Sequence, residues 1–196
     1  MAETLRILHL EDLPDDADLV ARALKKAGMR ADIRLAESRN EFRKAVKEFR
    51  PDVILSDHSL SSFDSHEALN IVKQEGVDVP FILVTATVSE DYAVSIIKDG
   101  ASDYILKDRL QRLPSAILAA REKYLLEQKR RVADEALRES EQKYKLLFES
   151  NPMPMWMLSK STLRIIAVNE AAIKHYGYSR EEFLQLSSRD LRPQED

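Results

Sequence analysis

The 196-residue chain contains no cysteine. That excludes a disulfide framework, a thiolate nucleophile and a thiolate metal site. Long apolar runs are also missing: the longest are about strand length, and the opening "AETLRILHLED" is neither a spanning helix nor a signal peptide. The sequence therefore predicts a cytoplasmic location and no membrane partner. A basic field is lacking too, since the formal net charge is -4, so direct nucleic-acid binding is not expected. None of the four histidines has a second His or Cys placed to complete a metal set. His9 and His58 read as packing or loop residues, and His66 and His175 as helix residues without chemistry. No internal repeat or low-complexity tract is present.

What the chain does have is 44% hydrophobic residues, enough for one good core and part of a second. Up to about residue 110, short apolar runs alternate with amphipathic stretches. "LRILHL" (5–10), "ADIRLA" (31–36), "DVILSD" (52–57), "FILVTA" (81–86) and "DYILK" (103–107) read as strands. Between the first two, "PDDADLVARALKKAG" starts with Pro14 and acids, spaces Ala17, Val20, Ala21 and Leu24 helically, and stops at Gly28. "SEDYAVSIIKDG" follows the same logic, with Ala93, Ile96 and Ile97 on one face and Gly100 last. This βα repeat predicts a doubly wound α/β fold, a parallel sheet with helices on both sides.

From Leu113 to about Phe148 the composition becomes dense in charge, with neither Gly nor Pro after Pro114, and a single long helix is predicted. Leu118, Leu125 and Val132 fall at heptad spacing, and Leu137, Tyr144 and Leu147 resume it out of phase. Arg121, Gln128, Glu135 and Glu139 occupy positions where a seam would want apolar residues, so a solvated helix and a weak coiled coil both remain open. After Ser150, "MPMWML" and "LRIIAV" read as two strands. Asn169 then caps a short helix ended by Gly177, and Ser179 with Glu182 forms a capping box for another. Two strands and two small helices are not expected to close a core alone.

In an open parallel sheet, functional groups gather at the carboxyl ends of the strands, near the reversal of strand order. There the first strand ends in Glu11 and Asp12, the third in Asp57, the fourth in Thr85 and the fifth in Lys107. Three neighbouring carboxylates repel one another, and hard oxygen ligands with an open side suit Mg²⁺. Lys107 supplies a point charge and Thr85 a hydroxyl, the groups wanted when an acyl phosphate forms on a carboxylate. Asp57 is thus a candidate nucleophile toward phosphorus. Asp15, Asp16 and Asp64 read as helix-start acids.

These motifs, in this order, resemble a response-regulator receiver domain of the CheY-like type over residues 5 to about 112: Glu11-Asp12, "PDVILSDHSLSSFDSHEAL" around Asp57, "FILVTA" with Thr85, and "GASDYILK" with Tyr104 and Lys107. The resemblance implies a flavodoxin-like five-stranded sheet in the order 2-1-3-4-5. It also implies that Asp57 accepts phosphate from a histidine kinase or phosphotransfer protein in a two-component system. Asp12, Asp57 and the Ser59 carbonyl would hold Mg²⁺ with help from Glu11, Thr85 and Tyr104 would move inward as switch residues, and Lys107 would pair with the phosphoryl group. Beyond self-catalysed phosphotransfer and dephosphorylation, no enzyme activity is implied. The sequence departs from the family in two places. The loop "HSLSSFDS" lacks the usual Pro and Gly, and Asp108 follows Lys107 where a proline is usual, which removes the cheap cis bond of that turn.

A haloacid-dehalogenase-type hydrolase would want a second Asp two residues after the nucleophile, and position 59 is Ser. A dinucleotide cradle would want Gly where "EDLPDD" stands. The remaining alternative is a degenerate receiver kept as a dimerisation or docking module. The C-terminal stretch, through "VNEAAIKHYGYSREEF" and "RPQED", resembles the first half of a PAS sensory domain, without the photoreactive Cys of the LOV type. Trp156, Met153, Met155 and Met157 then read as PAS core. The expected organisation is a receiver over 1–113, a helical linker over 114–143 and a truncated PAS domain over 144–196. A homodimer through the helix and the receiver face of the fourth helix, fifth strand and fifth helix is expected, with the effector domain beyond Asp196.

Overall fold

The computed structural model describes residues 4–61, 63–87, 89–187 and 190. Two compact units meet in the chain at Lys129 and Arg130. The first is built from β1 (Leu5–Leu10), α1 (Pro14–Lys26), β2 (Ala31–Ala36), α2 (Arg39–Glu48), β3 (Val53–Ser56), α3 (Ser65–Gln74), β4 (Phe81–Thr85), α4 (Glu90–Lys98) and β5 (Asp103–Leu106). A 3-10 turn over Lys107–Arg112 leads into α5 (Leu113–Glu149), which runs on into the second unit.

The five strands form one parallel sheet in the order β2-β1-β3-β4-β5. The chain moves outward from β1 to β2 and then returns across β1 to β3, so the reversal of direction lies between β1 and β3. A crevice opens at such a point, beyond the carboxyl ends of the strands. Side chains alternate along each strand, and both faces are covered, which is why β3 and β4 are buried throughout. On one face Leu8, Leu10, Ile54, Phe81 and Leu83 pack with Phe42, Leu69, Val72 and Ile96 of α2, α3 and α4. On the other, Ile7, Leu55 and Val84 pack with Val20 and Leu24 of α1 and Leu113 and Ile117 of α5. The ladders stop just short of the predicted strand ends, at Ser56, Thr85 and Leu106, which leaves Asp57 and Lys107 on the rim.

The helix starts follow the capping chemistry of their sequences. Ser38, Asp64 and Ser89 each accept a backbone N–H from the third residue beyond them. α1 differs, because Leu13 precedes Pro14 and no side chain caps it. The first turns of α5 belong to the core, and two of its polar heptad positions turn to the body of the first unit: Arg121 lies 3.9 Å from Asp52, and Gln128 donates to Asp78 at 2.7 Å. Those two residues are therefore not failed seam positions. Leu118, Leu125 and Val132 are exposed, as are Leu137, Tyr144 and Leu147 further along.

The second unit pairs β6 (Trp156–Leu158) and β7 (Ile165–Val168) antiparallel, followed by α6 (Glu170–Tyr176) and α7 (Arg180–Gln185). Asn169 does more than cap α6. Its Oδ1 accepts from the backbone N–H groups of Ala172 and Met155, and its Nδ2 donates to the carbonyls of Phe148, Asn151 and Met153. Gly177 closes α6 at φ 79, a left-handed conformation that glycine adopts at no steric cost. Ser179 and Glu182 form the expected capping box. Ile165, Val168, Ala172 and Phe183 make only a small core, with Trp156 half-buried beside it. Met153 is 69% exposed and Met155 is exposed as well, so the expectation that the methionines fill a core fails at both. The "RPQED" motif lies outside the described residues.

Candidate acidic site at the carboxyl end of the sheet

Because β1, β3, β4 and β5 are neighbours in that order, their carboxyl ends bring Glu11, Asp12, Asp57, Thr85 and Lys107 to one rim. Asp57 is 4% exposed. Its backbone N–H donates to the Leu10 carbonyl at 2.9 Å, and its Oδ1 accepts from the His58 N–H at 2.8 Å. Its Oδ2 lies 3.3 Å from the Lys107 ammonium, whose side chain is 9% exposed. The same ammonium donates to Glu11 Oε2 at 2.7 Å and to Asp16 Oδ2 at 2.6 Å. Lys107 is therefore the cation that offsets the repulsion among the buried acids.

The electrostatics follow from that packing. Burial pushes the Glu11 carboxyl above its usual range; the Lys107 hydrogen bond opposes the rise, and the Asp57 charge adds to it. Burial also works against the Lys107 charge, but the hydrogen bonds to Asp16 and Glu11 overcome it and leave its pKa raised. His9 lies on β1 two residues before Glu11, buried, and its Nε2 has no hydrogen-bond partner among the described residues. Burial first, and then the Lys107 charge, lower its pKa to about 4, which keeps the ring neutral and fits a packing role.

Of the residues singled out in the sequence, Glu11, Asp57 and Lys107 are in direct contact, and the cluster includes one more. Asp16 was read as a helix-start acid; its carboxylate instead reaches Lys107. The readable signal was its position four residues before Val20 and eight before Leu24, on the buried stripe of α1, where an acid needs a partner. Asp64 does cap α3, as expected. Asp12 points its Oδ2 at the Ser61 N–H, 2.7 Å away, and Ser59 is exposed and bridges to Asp64. With Phe63 buried, these contacts fix the described part of the loop without its usual Pro and Gly. No cis peptide bond occurs among the described residues, so Lys107 joins Asp108 in the trans form.

Thr85 is buried and donates its hydroxyl to the Thr87 carbonyl at 2.9 Å. Tyr104 is 39% exposed. His58 is more than a loop residue: its ring lies 4.0 Å from that of Tyr92 on α4, and its Nδ1 is 3.3 Å from Ser65 Oγ, which in turn is 2.6 Å from the Tyr92 hydroxyl. Among the described residues, no three His, Cys, Asp or Glu side chains already converge as a metal site. The donors present are hard oxygens all the same, and Mg²⁺ commonly takes only one or two carboxylates and keeps its waters. The donor set thus fits Mg²⁺ chemically, once Asp12 releases the Ser61 N–H.

Comparison with known proteins agrees with this geometry. Residues 7–118 match the response regulator receiver domain family, and residues 142–196 match a PAS domain family. The DNA-binding transcriptional regulator NtrC of Proteus hauseri is 34% identical over 96 residues, 47% of this chain and 20% of that protein. The nitrogen assimilation regulatory protein NtrX of Azorhizobium caulinodans is 35% identical over 103 residues, 52% of this chain and 22% of that protein. The chain thus spans about a fifth of the length of either regulator. Among solved structures, the signal receiver domain of a LuxO repressor protein from Vibrio parahaemolyticus superposes with a TM-score of 0.58 at 25% identity, covering 64% of this chain and 96% of that one. NtrX from Brucella abortus gives 0.58 at 28% identity, covering 67% of this chain and 29% of that one. The family match takes in more than half of the chain, from β1 through the first turns of α5, and the sheet order agrees with it: the chain belongs to the response regulator receiver domain family.

Proposed function

We propose that Asp57 is the phosphoacceptor of a two-component signalling switch. The observation that carries this reading is the buried Asp57 carboxylate held at the end of β3 with the Lys107 ammonium 3.3 Å from its Oδ2. A carboxylate oxygen of Asp57 attacks the phosphorus of a phosphohistidine on a sensor histidine kinase or phosphotransfer protein. The P–N bond breaks, the imidazole leaves with the electron pair, and an acyl phosphate remains on Asp57. Lys107 then donates to a phosphoryl oxygen in place of the carboxylate. Thr85 turns its hydroxyl from the Thr87 carbonyl to the phosphoryl group, and Tyr104 moves inward as Thr85 does. Asp12, Asp57 and the Ser59 carbonyl, with Glu11 behind them, are the residues that would hold Mg²⁺, whose charge offsets that of the incoming phosphate.

The division into a receiver over 1–113, a helical linker over 114–143 and a PAS segment over 144–196 belongs to the same reading. So does a homodimer. Val94 and Ile97 on α4, Tyr104 on β5 and the exposed leucines of α5 are apolar surface that a second copy would cover, and the paired helices would carry receiver state toward the PAS segment. One regulator with a matching receiver, NtrC of Proteus hauseri, is named for transcription, so an effector beyond this stretch would deliver the output.

The test is incubation with MgCl₂ and acetyl phosphate, followed by intact-mass measurement. One phosphoryl adduct is expected on the parent and none on Asp57→Asn, which removes the nucleophile and nearly preserves shape. Equal labelling of both would overturn the assignment. No label on the parent would favour the docking module without phosphorylation. Light scattering with and without the phosphodonor reads the dimer, and a monomeric mass across micromolar concentrations would refute it.

A further inference from the structure

The geometry points to Asp16 as a positioning residue for Lys107, an anchor on α1 that holds the ammonium in place for the chemistry at Asp57. An ammonium has three donors. Here they face Asp16 at 2.6 Å, Glu11 at 2.7 Å and Asp57 at 3.3 Å, two short contacts and one long. The two short ones are charge-assisted hydrogen bonds from the ammonium to carboxylates on different elements, and they fix the nitrogen between the end of β1 and α1. The long one is the contact free to pass to another oxygen. Lys107 needs such an anchor, because the backbone supplies little: it is the first residue of a 3-10 turn, past the last ladder residue of β5, and Arg109 within that turn departs from helical dihedrals. Asp16 is itself fixed. It sits on the face of α1 that continues into the buried Val20 and Leu24, and its N–H donates to the Leu13 carbonyl at 3.1 Å.

The kinetic half of this proposal rests on the phosphoacceptor reading. An ammonium left with Glu11 and the long Asp57 contact is less tightly held, and small misplacements of a catalytic group are costly. Asp16→Ala is therefore expected to slow phosphorylation by acetyl phosphate about tenfold, the effect of losing one charge-assisted hydrogen bond of about 1.4 kcal/mol. Asp16→Glu keeps the carboxylate and recovers most of the rate. Asp15→Ala removes the same charge from the same helical turn and leaves the rate unchanged.

The second readout does not depend on phosphorylation. In the full-length chain labelled with ¹⁵N, an ammonium held this way gives a resolved ¹H–¹⁵Nζ correlation in cold solution, assigned by its disappearance in Lys107→Arg. The signal is expected to persist in Asp15→Ala and to broaden or vanish in Asp16→Ala. An unchanged Lys107 signal in Asp16→Ala overturns the anchor. A lost signal with a rate equal to that of Asp15→Ala overturns its part in the reaction. A parent protein that takes no phosphoryl group overturns the phosphoacceptor reading and with it the kinetic half, while the ammonium signal still decides the anchor.

Discussion

Replacing Lys107 by Met removes a cation that Glu11, Asp16 and Asp57 share and keeps a side chain of similar length. At an effective dielectric of about 20, a contact of the Lys107–Glu11 length is worth roughly 6 kcal/mol before desolvation is counted. Desolvation cancels much of that for the intact pair, but the variant leaves buried carboxylates without their partner, and such losses cost about 3 to 5 kcal/mol. Asp16 is a quarter exposed and recovers some hydration, so the lower figure, about 3 kcal/mol at pH 7, is expected. That is a large share of the 5 to 15 kcal/mol of a typical domain. The loss has a pH signature. Glu11 already has a raised pKa, and the Lys107 hydrogen bond is the strongest contribution opposing the rise. A carboxyl with a higher pKa folded than unfolded takes up a proton on folding. Its contribution is complete below the unfolded pKa and falls as pH rises through the folded one. Without Lys107 that folded value moves higher still, so the gap between variant and parent should be widest near pH 7 and narrow toward pH 4. Mg²⁺ should narrow it too: an ion at ten times its Kd adds about 1.4 kcal/mol, and the variant's uncompensated acids should bind it more tightly than the parent's. Trp156, the only tryptophan, lies in the second unit, so its fluorescence reports on that unit. Urea unfolding by circular dichroism, with hydrogen exchange of the β1 and β3 peptides, is the suitable assay. Equal stability at pH 7 without divalent ions, or a gap that widens in acid, would refute the account.

Other substitutions separate the remaining roles. Asp12→Asn should weaken Mg²⁺ binding severalfold by removing a hard anionic ligand, and an unchanged calorimetric titration would remove Asp12 from the metal set. Thr85→Ala should still accept the phosphoryl group, but the amide shifts that phosphorylation produces around α4 in the parent should be lost; retained shifts would reduce Thr85 to core packing. Asn169→Ala strips a cap worth about 1 kcal/mol and the donor shared by three carbonyls, so the second unit should lose about 2 to 3 kcal/mol. Trp156 fluorescence during urea unfolding reads that loss directly, with the receiver transition unmoved.

Much of this protein was decided along the chain itself. The alternation of apolar runs with 3.6-periodic stretches fixed the β/α order, because each period can bury its apolar side in only one kind of element. Local capping chemistry fixed helix starts at Ser38, Asp64, Ser89, Asn169 and Ser179, since a cap needs only its own next three residues. Acids, a hydroxyl and a lysine at successive strand ends were legible for the same reason: in a parallel sheet those ends share one rim. Contacts across elements were not legible. That Asp16 reaches Lys107, 91 positions away, depends on how α1 lies over the sheet, and its place in the sequence looked like a helix-start acid. The His58, Ser65 and Tyr92 cluster joins a loop and two helices through side chains that carry no local signal of pairing. Whether Arg121 and Gln128 served a coiled-coil seam or the receiver's own body was settled by the direction in which α5 leaves the core. Periodicity places a residue on a face of its own helix, and only the packed fold decides what that face meets.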